Sequence, residues 1–250
     1  MRAARVRADV LLVARGLAPS RAAAQALILA GEVHTSNARV DKPGALLSPD
    51  LPLTVRQGPR FVSRGGEKLE GALAAFEAEG LDPRGLTCAD VGASTGGFTD
   101  CLLQRGAARV FAIDVGKGQL AHSLRADARV TVMEGTNARD LGAADFPCPI
   151  DLVVVDASFI GLGALSQALF HITRPGGQLV ALVKPQFEAG REAARRGRGV
   201  IRDEAARLAA IDAGRASLEA AGFAVRAEID SPLRGPKGNL ERFVWARRSG

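Results

Sequence analysis

The stretch Thr87-Cys88-Ala89-Asp90-Val91-Gly92-Ala93-Ser94-Thr95-Gly96-Gly97-Phe98-Thr99 decides the fold. Residues 87–91 are apolar enough for a buried strand. Gly92, Gly96 and Gly97 then open a tight turn into a helix carrying Phe98, Leu102 and Leu103. Glycine is needed where a backbone turns sharply and comes close to a ligand. The turn is not a Gly-x-Gly-x-x-Gly dinucleotide fingerprint, because Ser94 stands two residues after Gly92. There is no Gly-Lys-Ser/Thr phosphate loop either.

Outward from this turn, strand and helix patterns alternate. Strands are expected at Thr87–Val91, Arg109–Asp114, Val130–Met133, Leu152–Asp156, Gln178–Val183, Phe223–Asp230 and Glu241–Arg247. Helices are expected over 68–80, Gly97–Arg105, Gln119–Arg125, Leu162–Ile172 and Asp203–Ala221. Such alternation predicts an α/β domain on a doubly wound parallel sheet. Only a loop joins the last two strands, which predicts a terminal antiparallel hairpin.

Charged residues recur where these strands end. Phe111-Ala112-Ile113-Asp114 closes on an acid about twenty residues beyond the turn, where a carboxylate can accept both hydroxyls of a ribose. Asp114 alone also fits a helix cap. Asp156 ends the run Leu152–Val155, and Lys184 follows the apolar Leu179–Val183, with Pro185 closing the strand. Charges at the carboxyl ends of central strands face the ligand crevice of such a sheet. Lys68 ends Ser63-Arg64-Gly65-Gly66-Glu67-Lys68, and Glu241 ends Gly238-Asn239-Leu240-Glu241. Two lysines and two carboxylates suit chemistry on an alcohol, a poor nucleophile that needs a base. A lysine serves when burial or a second cation lowers its pKa. Lys184 is expected to take the proton with Asp156 beside it, Lys68 and Glu241 in support. The same four residues also fit two purely structural salt bridges, Lys68–Glu241 and Asp156–Lys184.

The first 60 residues read as a separate module. Asp9–Val13 and Ala22–Ala30 show helical spacing, with Gly16 to end the first helix, Ser20 to cap the second and Gly31 to stop it. Glu32–Thr35 and Ala38–Val40 flank Ser36-Asn37, a tight hairpin, and a short strand follows at Leu53–Arg56. Residues 1–60 hold nine Lys or Arg against four Asp or Glu, so +5 of the chain's net +6 lies there. That concentration suits a polyanion or a solvated surface helix. Cys88, Cys101 and Cys148 show no Cys-x-x-Cys spacing, which argues for reduced thiols and against a disulfide framework or a metal site. No apolar run is long enough to span a bilayer, and no convincing signal peptide opens the chain, so a cytoplasmic protein is expected. The boundaries are drawn at 1–59, a linker at 60–67 and a main domain at 68–250.

The N-terminal pattern resembles the S4 domain, a small RNA-binding fold. The likeness runs over about residues 7–55, on Arg7-Ala8-Asp9-Val10-Leu11-Leu12-Val13, Ser20-Arg21-x-x-Ala24 and the Gly31-x-Val33 to Val40-Asp41-Lys42-Pro43 tail. It implies Arg5, Arg7, Arg15, Arg21 and Arg39 as phosphate contacts. The glycine turn resembles that of S-adenosylmethionine-dependent enzymes. That likeness implies cofactor contacts at Asp90, Gly92, Ala93, Ser94, Thr95, Gly96, Gly97, Phe98, Asp114 and Asp156, with Asn137 and Ala138 against the adenine. Over nearly its whole length the chain resembles the TlyA family, historically labelled hemolysin A, in which an S4 domain precedes an FtsJ-like ribose methyltransferase domain. The specific pieces are Ser63-Arg64-Gly65-Gly66-x-Lys68-Leu69, Gly92–Asp100, Asp156-Ala157-Ser158-Phe159-Ile160, Lys184-Pro185-Gln186-Phe187-Glu188 and Gly238-Asn239-x-Glu241. Ala157 stands where valine is expected. The resemblance implies a seven-stranded sheet with a reversed edge strand and a Lys68-Asp156-Lys184-Glu241 tetrad. It implies 2′-O-methylation of cytidine in ribosomal RNA of either subunit or both, with no metal, since a sulfonium methyl is already activated. Arg64 and a second basic cluster, with Arg191, Arg195, Arg196, Arg198 and Arg202, are expected to meet RNA at the active-site mouth. Two other readings remain at this point: a membrane-active hemolysin and a catalytically silent ribosome-binding protein.

Overall fold

The computed structural model describes residues 4–56, 58–189 and 199–250. The chain forms two compact units, Met1–Arg60 and Phe61–Gly250. In the first, α1 (Ala8–Ala14) and α2 (Arg21–Leu29) pack around Leu11, Leu12, Ala24 and Ile28. Ser20 caps α2 by accepting a hydrogen bond from Ala23 N. Two short antiparallel pairs complete the unit, β1 (Val6–Arg7) with β3 (Leu46–Leu47) and β2 (Val33–Thr35) with β4 (Leu53–Val55). Ser36-Asn37 makes the expected tight turn, but the returning chain forms only a bridge between His34 and Arg39. The β1–β3 pair was not legible in advance, because two-residue strands carry no period.

The second unit is a seven-stranded sheet of order β10-β11-β9-β8-β5-β6-β7. Its strands are β5 (Thr87–Val91), β6 (Arg109–Asp114), β7 (Val130–Glu134), β8 (Ile150–Val155), β9 (Thr173–Val183), β10 (Phe223–Asp230) and β11 (Arg242–Arg248). β5 to β9 are parallel, and β11 runs antiparallel to both β9 and β10. Both sheet faces are buried, and the strands divide their side chains between them. Leu152 and Val154 join one core with Val180, Leu182, Phe243 and Trp245. Val153 and Val155 join the other with Leu179, Ala181, Val183 and Val244. This is the period of two expected of strands covered on both sides.

On the first face lie α3 (Arg64–Phe76) and α4 (Gly97–Gln104). Leu69, Ala72, Leu73 and Phe76 recur at helical spacing and are fully or almost fully buried. Phe76 stacks on Trp245 at 5.6 Å, and Phe98 meets Phe243 at 6.0 Å. On the second face lie α6 (Ser166–Ile172) and α8 (Glu204–Ala220). Two short helices, α5 (His122–Arg125) and α7 (Pro185–Glu188), follow the Asp114 loop and Lys184. The expected linker 60–67 differs from what is found. Phe61 is buried in the core of the second unit and α3 starts at Arg64, so only Arg60 of that stretch belongs to the first unit. Ser63 caps α3 through Gly65 N, which is why the helix begins four residues early.

The N-terminal ends of α3 and α4 touch through glycine. A Cβ on Gly97 would overlap Ser63 Oγ and stand 2.7 Å from Gly66 N. Alanine normally favours a helix over glycine by up to about 1 kcal/mol. Overpacking costs about 1–3 kcal/mol, so the clash should win. Gly97→Ala is expected to lower the melting temperature by several degrees. A melt equal to or above that of the parent chain would show that the helix ends can separate at no cost.

Candidate active site

Order β9-β8-β5-β6 places the switch point between β5 and β8, where crossovers leave in opposite directions. The groups singled out by sequence meet at the carboxyl ends of these strands. Gly92 follows β5, Asp114 ends β6, Asp156 follows β8 and Lys184 follows β9. Glu241 precedes the reversed β11, whose register sets Arg242 opposite Val183. Lys68 comes from the buried side of α3.

The tetrad forms two pairs. Lys184 Nζ lies 2.6 Å from Asp156 Oδ1 and donates to Ser158 Oγ at 2.8 Å. Lys68 Nζ donates to Glu241 Oε2 at 2.5 Å. Lys68, Lys184 and Glu241 are 7%, 8% and 1% exposed. All four line one cavity of about 430 Å³ with Ser63, Arg64, Ala93, Thr95, Gly97, Phe98, Arg234 and Pro236. A purely structural reading of the two salt bridges predicts the same pairs. It does not predict that both open on one cavity beside the glycine turn.

A second cavity of about 710 Å³ adjoins it, and Gly92, Ser94, Asp156 and Ser158 line both. Asp114, Asn137 and Ala138 lie along it, as do Gln119, Thr136, Arg139, Phe159 and Ile160, which sequence reasoning did not single out as ligand contacts. The only advance signal for Ser158 and Phe159 was their place in the Asp156–Ile160 motif. Gly92 has φ +88°, and a Cβ there would stand 2.9 Å from Asp156 O, so glycine is required where the two cavities meet. Among the described residues, Ser94 and Phe159 are the non-glycine residues with left-handed backbone, at φ 48° and 67°. Strained backbone of this kind gathers at ligand sites. Phe159 is 92% exposed, with its ring 5.6 Å from that of Phe187.

The surrounding loops are held by carboxylates. Asp114 accepts from Ser94 N at 2.8 Å and Gly116 N at 2.7 Å, tying the glycine turn to the end of β6. Glu134 accepts from Gly118, Gln119 and Leu120 N, and the Gly118 bond leads in lowering its pKa to about 2. Glu188 binds Leu162 N and so pins the chain beyond Phe159; burial raises its pKa.

Of the expected cofactor contacts, Ala93, Thr95, Gly97 and Phe98 line only the tetrad cavity, and Asp90 and Gly96 line neither cavity. Gly96 caps α4 at φ 99°, and a Cβ would strike Leu120 and Leu124. Asp90 is fully buried beneath the turn, where Oδ2 accepts from Thr99 N at 2.9 Å and Thr99 Oγ1 at 2.7 Å. It braces β5 against α4, because its side chain follows the strand alternation onto the α4 face. Its Oδ1 is buried without a hydrogen bond.

Of the expected RNA contacts, Arg7 and Arg21 converge on Asp9. That carboxylate is 0% exposed and also accepts from Gln25 Nε2 at 2.9 Å. Arg7 Nε and Nη2 and Arg21 Nε each stand 3.0 Å away, and the Arg7 bonds lead in holding Asp9 well below the usual carboxylate range. Arg15 instead binds the backbone oxygens of Pro49 and Leu51, and exposed Arg39 pairs with Asp41. Arg5 is exposed, and Arg64 lines the tetrad cavity. Arg191, Arg195, Arg196 and Arg198 lie outside the described residues. Among the described residues no helix is long and apolar enough to cross a membrane, and no group of His, Cys, Asp and Glu is arranged to hold a metal.

This sheet order, with the reversed strand β11 one place in from the edge rather than at the edge as expected, and with a cavity at the switch point, is the Rossmann-like methyltransferase architecture, and solved S-adenosylmethionine-dependent methyltransferases share the fold. Residues 61–248 match the FtsJ-like methyltransferase family and residues 6–51 the S4 domain. The chain belongs to the FtsJ-like methyltransferase family and carries an N-terminal S4 domain. It is 45% identical over 247 residues to the 16S/23S rRNA (cytidine-2′-O)-methyltransferase TlyA of Mycobacterium tuberculosis, covering 98% of this chain and 91% of that one. It is 38% identical to Hemolysin A of Brachyspira hyodysenteriae, over 94% and 97% of the two chains. A solved Streptococcus thermophilus protein with a provisional hemolysin name matches at TM-score 0.73 and 40% identity, over 98% of this chain and 89% of that one.

Burial raises the Asp90 pKa from 3.8 to about 7, against the Thr99 hydrogen bonds and with help from the nearby Asp156 and Asp114 charges. Between those values the folded chain keeps a proton that the unfolded chain releases. Stability should therefore fall as pH rises through this window, by up to about 1.4 kcal/mol per unit. Asp90→Asn should lose that slope and become relatively more stable at pH 8 than at pH 5 in denaturant titrations. Parallel pH curves for the two proteins would show that Asp90 is ionised in the fold.

Proposed function

We propose that this chain 2′-O-methylates cytidine in ribosomal RNA, in the cytoplasm, with S-adenosylmethionine in the larger cavity and the target ribose at the tetrad. The observation that carries the reading is the junction of the two cavities at Gly92 and Asp156, with Lys184 beside it. The residues fit the cofactor. Gly92 lets the backbone come close, Asp114 stands where ribose hydroxyls would be accepted, and Asn137 and Ala138 line the wall. Bound there, the cofactor would supply an electrophilic sulfonium methyl.

Lys184 would then have one task, to take the proton from the 2′-hydroxyl and so make that oxygen the nucleophile. Only the neutral amine can accept that proton. Asp156 and Ser158 hold Nζ in place, and the proton remains on a lysine already matched to a carboxylate. Lys68 adds positive field beside the alkoxide character that develops on oxygen. Glu241 keeps that ammonium fixed. The exposed Phe159 ring at the rim offers a flat face for an extruded base, the usual way a protein reaches a nucleotide in folded RNA. The relatives named as methyltransferases support this reading over the hemolysin names, as does the opening of both lysine–carboxylate pairs on one cavity.

Lys184→Ala should abolish methyl transfer from labelled S-adenosylmethionine to ribosomal RNA from cells lacking the protein, with RNA binding kept within about threefold. Lys184→Arg should also be inactive, because a guanidinium keeps the charge but cannot accept a proton. Full transfer by either variant would remove Lys184 as the base.

In the S4 domain, Asp9 lowers the positive charge yet holds Arg7 and Arg21 side by side. Charge alone predicts tighter RNA binding by Asp9→Asn. Preorganisation predicts weaker binding, by about fivefold, since a freed arginine carries about 2 kcal/mol of rotamer entropy. Filter binding should show the weakening, and a gain in affinity would reject the preorganised arginine pair.

A further inference from the structure

Six charged side chains line the tetrad cavity: Arg64, Lys68, Asp156, Lys184, Arg234 and Glu241. The lysines are each matched by a carboxylate. The arginines are not. Arg64 Nη2 donates to Arg234 O at 3.4 Å and Arg234 Nη1 to Gly238 O at 3.0 Å, and among the described residues neither meets a carboxylate. Among the described residues the cavity thus carries two positive charges without a carboxylate partner, both on exposed side chains. A ribose inside an RNA strand brings a phosphate on each side, two unit negative charges at the separation of one nucleotide. A free nucleoside brings none.

We propose that Arg64 and Arg234 bind the two phosphates flanking the methylated ribose, which makes the site selective for a nucleotide within a strand. The proposal rests on the methyltransferase reading. A guanidinium presents two parallel donors that match phosphate oxygens. Each arginine is also built into the segment that carries a tetrad member. Arg64 lies one helical turn before Lys68 on α3, behind the Ser63 cap. Arg234 lies in the loop that ends at Glu241. That loop is held by Ser231 N on Glu241 O at 2.8 Å, Gly235 N on Asn239 O at 2.9 Å and Gly238 N on Gly235 O at 2.8 Å. Asn239, 2% exposed, fastens it further by accepting from Ile201 N and donating to Gly199 O. Gripping the phosphates therefore sets the sugar against Lys68 and Glu241 through short, rigid connections. Arg234 was not singled out from sequence because it lies in a Pro- and Gly-rich loop with no periodic signal.

The test uses the full chain, labelled S-adenosylmethionine and ribosomal RNA from cells lacking the protein, with cytidine and cytidine 3′,5′-bisphosphate as competitors. For the parent protein the bisphosphate should inhibit at about tenfold lower concentration than cytidine or less. Arg64→Gln and Arg234→Gln should each shrink that advantage several-fold and raise the KM for RNA more than they lower kcat. Each should also reduce the salt dependence of RNA binding by about one contact. S-adenosylhomocysteine affinity and melting temperature should stay at the parent values, and Arg234→Lys should recover part of the discrimination. Equal inhibition by the two competitors, or parent-like discrimination and salt dependence in both glutamine variants, would overturn the proposal. If neither small ligand competes, the salt dependence decides alone. A parent protein that binds no S-adenosylhomocysteine and transfers no methyl would instead overturn the methyltransferase reading on which this rests.

Discussion

The site depends on holding two buried lysine side chains beside one cavity. A buried ammonium carries a desolvation cost of several kcal/mol, and a second one beside it adds repulsion. Each is tolerated because a carboxylate lies within 2.6 Å. Stripping one partner from such a pair leaves an uncompensated charge, worth about 3–5 kcal/mol, which exceeds what the pair itself contributes to stability. The two pairs are not equivalent. The Glu241 side chain is 1% exposed and that of Asp156 is 23% exposed. Both lysine side chains are 9% exposed, so the pairs differ at their carboxylates, and the Lys68 pair is the more enclosed of the two. That asymmetry suits the proposed division of roles, in which a base has to meet a hydroxyl and a supporting charge does better without competition from water.

Much of this was legible because the physics is local. Leu152–Val155 and Leu179–Val183 are apolar on both faces, so a charge directly after each had to emerge at the strand end, and both were found there. Gly92 was legible because a strand-to-helix turn over a ligand demands it. Asp90 and Gly96 sit in the same turn and read identically, yet what surrounds each follows from packing. Strand alternation turns Asp90 onto α4, and Leu120 and Leu124 close over Gly96. Asp9 was quoted only as part of a motif. A carboxylate at a helix start usually faces water, and its burial here depends on Arg7, Arg21 and Gln25 arriving from two other turns. Helix ends shifted for related reasons. A single hydroxyl, that of Ser63, moved the start of α3 from the expected residue 68 to Arg64.

The loop-only connection between β10 and β11 predicts their antiparallel pairing but not that β11 lies against β9, and the site requires that placement. In a parallel sheet every strand delivers its carboxyl end to the crevice. β11 delivers its amino end, because it runs antiparallel to β9 with Arg242 opposite Val183. Glu241, one residue earlier, then comes level with Lys184 across a strand spacing of about 4.8 Å. If β11 were parallel, its seven residues would carry Glu241 roughly 23 Å to the far edge of the sheet, at about 3.3 Å per residue. Lys68 would then be a buried charge without a partner. The aromatic residues of β11 settle the orientation from the other side. Phe243 and Trp245 alternate onto the α3–α4 face and meet Phe98 and Phe76 there. The strand is locked in place by the same two helices that carry Lys68 and the end of the glycine turn. Core packing and charge pairing therefore select the same register, and a slip of one residue would turn both aromatics to the opposite face as it broke the Lys68–Glu241 pair.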